Sequence, residues 1–117
     1  LRASIALAAL CLLASGCGVP HEPSKQADEV ASVAAEGALL AHDTAEGDTT
    51  GPFRRVHARA LRRQIEELRP AIEDRRLSAL AATVSEQLRR LEDDAAAAPA
   101  VESRLERAAE DADEVAK

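Results

Sequence analysis

The feature that most limits what this chain can fold into is its supply of large apolar side chains. Phe53 is the only aromatic residue, and Met, Trp and Tyr are absent, although apolar residues still make up 46% of the chain. Any core is therefore assembled from Ala, Leu and Val, which favour helices that approach closely. The sequence patterning agrees. Four segments show helical periodicity, and no stretch alternates as a half-buried strand would.

The first segment runs from about Lys25 to Glu46, with Ser24 as N-cap after Pro23 and a stripe of Val30, Val33, Ala34, Gly37, Ala41 and Ala45. GDTTGP, residues 47–52, breaks it, and Pro52 suits the first turn of the second helix, about Pro52 to Arg69. At 100° per residue, Phe53, Val56, His57, Ala60, Leu61, Gln64, Ile65 and Leu68 share one broad face of that helix, with Arg55, Arg59, Arg62 and Arg63 opposite. Pro70 removes a backbone donor and crowds the preceding turn, which sets a break near Pro70 to Asp74.

A third helix, about Arg75 to Asp93, carries Leu77, Leu80, Ala81, Val84, Leu88 and Leu91. A fourth, about Pro99 to Val115, carries Val101, Leu105, Ala108, Ala112 and Val115 on a narrow seam. Short connections between amphipathic helices make residues 25–117 an all-α domain, a small antiparallel bundle of three to four helices. The segment lengths wander, so this is not a tandem solenoid. With about a hundred residues and few large apolar groups, such a bundle is marginally stable unless it self-associates.

Charge is distributed by helix. Five arginines and no acid lie between Phe53 and Arg63, whereas Glu102 to Glu114 holds six acids against Arg104 and Arg107. In the first helix, Asp28, Glu29, Glu36, Asp43 and Glu46 face Lys25 alone. Complementary charge can fix topology by setting basic helix two beside acidic helix one or four. The second use of Arg55, Arg59, Arg62 and Arg63 is as a contact face for an anionic partner. The net charge of −6 has the wrong sign for a nucleic-acid binder.

The start of the chain has a different character. Arg2 precedes an apolar run of 11 residues, Ala3 to Leu13, followed by Ala14-Ser15-Gly16-Cys17. Basic start, short apolar helix and small-residue cleavage site form a secretory signal, and the run is too short for a membrane span, which takes about 20 residues. Leu13-Ala14-Ser15-Gly16-Cys17 resembles the lipobox of bacterial lipoproteins, with Ala14 where the commonest form has Leu. The resemblance implies cleavage between Gly16 and Cys17, removal of a signal peptide at 1–16, and a diacylglyceryl thioether on Cys17. Bulky Leu10 disqualifies Cys11. The mature chain would then hold no free thiol and no disulfide. Acyl chains on Cys17 would anchor it to the lipid bilayer, on the extracytoplasmic side of the cell membrane, without a membrane helix. Residues 18–24, GVPHEPS, read as a tether reaching roughly 25 Å when extended.

Chemistry-bearing constellations are few. His42 and Glu46 are four apart on one helical face, near Asp43 and Asp48, but HExxH and paired CxxC motifs are lacking, so no metal is expected. His57 and Gln64 lie within the apolar face of helix two, where polar groups need partners. They either fix helix register or line a small-ligand pocket. No CxxCH and no Met serve a haem, and no cofactor beyond the lipid on Cys17 is expected. Nucleotide-binding and nucleophile-elbow glycine patterns are absent, and no carboxylate pair stands in a context that splits its pKa values, so an enzyme is not expected. The layout of Cys17 at one end and Lys117 at the other resembles the murein lipoprotein of the outer membrane, whose terminal lysine is joined to peptidoglycan. Here Ala116 replaces the usual basic neighbour, and Gly47, Gly51, Pro52, Pro70 and Pro99 interrupt any single long helix. The expectation is a non-enzymatic structural or interaction lipoprotein that docks an envelope protein or itself. A small-ligand or metal-binding module and a wall-linked lipoprotein are its alternatives.

Overall fold

The computed structural model describes residues 18–117. The signal segment, Gly16 and Cys17 lie outside the described residues. Four α-helices follow one another: α1 Pro23–Ala45, α2 Gly51–Leu68, α3 Arg75–Asp93 and α4 Ala98–Ala116. Single 3₁₀ turns, Arg69–Ala71 and Ala95–Ala97, precede α3 and α4. The structure is thus an all-α bundle, with no strand among the described residues.

Local chemistry sets the boundaries. Pro23 occupies the first turn of α1, where its missing N–H costs nothing, so the helix starts before Ser24. Ser24 is therefore inside the helix and not its cap; Glu22 takes that position without a side-chain hydrogen bond. At the far end Gly47 has φ +78°, the left-handed conformation that glycine adopts without penalty. It closes α1 by donating to the Thr44 carbonyl at 3.1 Å, while Asp48 donates to the Asp43 carbonyl at 2.8 Å. Thr50 caps α2 by accepting from the Phe53 N–H at 3.2 Å, and Asp74 caps α3 by accepting from Leu77 at 2.8 Å.

Consecutive helices are antiparallel neighbours, and α4 closes the ring by packing along α1. Cross-helix contacts give the register. His42 meets Glu102 between α1 and α4, Gln64 meets Glu29 between α2 and α1, and Arg59 and Glu66 meet Glu92 and Ser85 between α2 and α3. Across the diagonal, α1 also touches α3. Gly37 makes this possible: a Cβ there would stand 2.8 Å from a Leu88 methyl and 2.9 Å from a Leu105 methyl. The core is built as the composition requires, from Leu61, Ile65, Leu68, Leu77, Leu88, Leu91 and Leu105 interleaved with Val and Ala.

One face differs from the sequence reading. The buried stripe of α2 is Arg54, Ala58, Leu61, Ile65 and Leu68, while Phe53 and Val56 are 55% and 66% exposed and Ala60 is exposed. At 100° per residue this turns α2 by roughly a quarter of a revolution from the face drawn through Phe53. The reason lies in the C-terminal half. Leu61, Ile65 and Leu68 are all fully seated in this rotation. The opposite rotation would bury Gln64 and carry Arg59 and Arg62 away from their acid. The basic side of α2 consequently turns to α3 and not to the acids of α1 or α4, although α2 does pack beside α1.

Candidate functional site

Arginines from α2 converge on a single carboxylate near the end of α3. Glu92 is buried. It accepts from Arg59 Nε at 3.0 Å on one oxygen, and from Arg62 Nε at 3.2 Å and Nη2 at 2.9 Å on the other. Burial opposes ionisation of Glu92, but the hydrogen bonds and charges of Arg59 and Arg62 outweigh it and hold its carboxyl below the usual glutamate range. Arg54 reaches the Glu92 carbonyl with Nη2 at 3.5 Å, a long contact, and its buried Nε has no partner. One turn further along α2, Glu66 accepts from Ser85 and, at 3.0 Å, from Arg69. The Ser85 hydroxyl is the main influence that lowers the Glu66 pKa, with Arg69 and Arg62 assisting against burial.

The four arginines singled out from the sequence therefore divide. Arg59 and Arg62 hold α2 to α3, whereas Arg55 and Arg63 are exposed and form no ion pair among the described residues. His57 and Gln64 also divide. Gln64 donates to Glu29 at 2.8 Å across the α1–α2 seam, beside a groove that includes Gly18, Val19 and Pro20. His57 instead lines a shallow apolar patch with Phe53, Val56 and Ala60, its ring edge-on to Phe53 at a centroid distance of 5.4 Å. The His57 Nδ1 is buried without a hydrogen-bond partner. The two side chains do not line one pocket.

His42 turns to α4. Its Nδ1 lies 2.7 Å from a Glu102 oxygen, and that hydrogen bond and charge raise the imidazole pKa, with Glu46 and Asp43 adding smaller contributions. Glu46 itself is the C-cap residue of α1, donating its backbone N–H to the His42 carbonyl at 3.0 Å. Around His42 a groove of about 470 Å³ opens between α1 and α4, floored by Ala35, Ala38, Leu39 and Ala109 and rimmed by Glu102, Glu106 and Glu110. Leu39 is 62% exposed within it. Lys117 lies near Glu114, Nζ to carboxylate 3.3 Å, on an exposed edge.

Residues that the sequence reading passed over do much of the positioning. Gln26, 2% exposed, donates from Nε2 to the Pro20 carbonyl at 3.0 Å and to the Ala71 carbonyl at 2.9 Å. It thereby pins the segment before α1 to the turn between α2 and α3. A glutamine one turn inside an Ala-rich helix, on its apolar side, is the sequence signal for such a bridge. Glu92 carries a similar signal, following Leu91 at the edge of the α3 stripe. Nothing in the periodicity of α2 marks the exposure of Phe53 and Val56. The ion pairs that cross between helices among the described residues are Arg59 and Arg62 with Glu92 and His42 with Glu102, while Leu39, Phe53 and Val56 are left as exposed apolar side chains on the helices. Comparison with protein-family models, curated proteins and solved structures finds no match to this chain.

Proposed function

We propose that this chain is a lipid-anchored extracytoplasmic module with a non-enzymatic docking role. The carrying observation is Leu12-Leu13-Ala14-Ser15-Gly16-Cys17 at the close of a short apolar run, with Cys17 the acylated residue. In this reading the acyl chains on Cys17 supply the attachment. One structural feature supports the anchor. Gln26 fixes Pro20 against the end of the bundle where α1 begins and α2 ends, which supports a folded part that starts three residues after the proposed acylated Cys17. The docking role is supported by an α2 flank on which Phe53 and Val56 stand exposed instead of joining the core.

The test is the intact mass of the protein extracted from the cell envelope after muramidase digestion, together with fractionation of Cys17→Ser. A mass that starts at Cys17 with acyl additions, and a variant that leaves the membrane fraction, support the anchor. An unmodified Cys17 overturns it. A wall fragment carried on Lys117 would favour the wall-linked alternative.

A further inference from the structure

Two apolar features remain on the surface once the core is accounted for, and they are opposite in shape and in charge. The first is convex. Phe53, Val56 and Ala60, spaced i, i+3 and i+7, line the outer flank of α2, and the edge-on contact with His57 presents the Phe53 ring outward. At 100° per residue the exposed, unpaired Arg63 lies about 20° from Val56 and about 60° from Ala60, whereas Arg55 lies on the far side of the helix. The second is the concave groove between α1 and α4, apolar along Ala35, Leu39 and Ala109 and acidic along Glu102, Glu106 and Glu110. Of the four large hydrophobic side chains exposed among the described residues, Phe53 and Val56 belong to the first feature and Leu39 to the second.

We propose that the Phe53–Val56–Ala60 stripe of one copy seats in the α1–α4 groove of a second copy. A helix with anchors at this spacing fits a groove between two helices. Arg63 beside the stripe then meets the glutamates of the rim, a complementarity that selects partner and register. The contact is between copies because α2 and α4 lie on different flanks of α1, so a chain cannot fill its own groove. An anionic lipid surface, the other natural occupant of an exposed Phe beside an arginine, would leave the Leu39 groove open and would be opposed by the net charge of −6. The contact joins unlike surfaces, so it either closes a ring or propagates. It rests on the docking half of the reading above and not on the anchor.

The experiment places a photoreactive phenylalanine, p-benzoylphenylalanine, at position 53 of the full chain in its own membrane. Irradiation should give a product of twice the chain mass whose linked peptides fall within residues 35–42 or 102–110 of the same protein. Adducts to lipid, adducts to a different protein, or no adduct overturn the proposal. A different protein would still leave the docking reading standing, and membrane retention with an acylated Cys17 is scored separately. Arg63→Glu should lower the yield of that product about tenfold or more, because like charges then meet at the rim, whereas Arg55→Glu, on the far side of the helix, should leave it unchanged. Adding Glu106→Arg and Glu110→Arg to Arg63→Glu should restore the yield, and a failure to restore counts against the proposal. Phe53 and these charged residues are all exposed, so an unchanged melting temperature verifies that each variant is folded.

Discussion

A buried polar atom without a partner costs about 1–3 kcal/mol, and the bundle holds one in a replaceable side chain, His57 Nδ1. Replacing His57 by Leu removes the orphan and keeps an apolar group against Phe53. His57→Leu should therefore stabilise the fold by about 1 kcal/mol, read as a higher midpoint in urea at unchanged slope. Glu92 is the opposite case, a carboxylate with every oxygen engaged. Removing it leaves Arg59 and Arg62 without their acid and Arg54 deeper in the seam. Glu92→Ala should cost about 1–3 kcal/mol in the same denaturation assay. The sign of the pH effect follows from the lowered pKa values of Glu92 and Glu66. Their contribution is complete above the ordinary glutamate value of 4.5 and is lost as pH falls through the lower folded values. An acid titration of the melting temperature should accordingly be shallower in Glu92→Gln than in the parent chain.

At the scale of the helix, two glycines of α1 and its end carry different requirements, and substitution separates them. Gly47 needs positive φ, so Gly47→Ala should destabilise by about 1 kcal/mol whatever the space around it. Gly37 needs room, because the methyls of Leu88 and Leu105 meet where its side chain would be. Gly37→Ala trades that crowding against a gain in helix propensity of about 1 kcal/mol. Gly37→Val has a smaller offset and adds two more methyls to the same space, so it should cost about 2 kcal/mol through overpacking. A midpoint for Gly37→Val no lower than for Gly37→Ala would show that the two leucines yield freely. The helices themselves were legible in the sequence, because proline and glycine punctuate them: Pro52, Pro70 and Pro99 each sit within a residue or two of an observed boundary. The rotation of α2 was not legible. Phe53 and Val56 add hydrophobicity to one flank and Ile65 and Leu68 to another, and only the neighbours decide which flank is buried. Glu92, on a different helix, receives Arg59 and Arg62 in the observed rotation, and a helical wheel drawn for one segment does not contain it.

For the molecule as a whole, closure depends on α4 returning along α1, and that seam has apolar contacts with only one cross-helix ion pair among the described residues, His42 with Glu102. The charge blocks seen in the sequence led to the expectation that basic helix two pairs with acidic helix one or four; α2 does pack beside α1, but its arginines pair with Glu92 of α3. The blocks did not identify the partners, since the acids nearest in composition, those of α1 and α4, are not the ones that receive the arginines. His42 was legible as a polar group beside Glu46, whereas its partner sixty residues away became visible only through the antiparallel register. That partner turns the seam into a pH-dependent contact of definite sign. Because Glu102 raises the folded-state pKa of His42, the stabilisation is fully present below the ordinary histidine value of 6.5 and fades as pH climbs through the raised value. The melting temperature of the parent chain should thus exceed that of His42→Gln on the acid side of 6.5, and the two curves should converge above the raised pKa. Glu102→Gln should abolish the same advantage. A parent chain whose margin over His42→Gln grows toward alkaline pH would mean that the imidazole does not hold α1 to α4 through its proton. The groove floored by Leu39 would then owe its shape to the alanines alone.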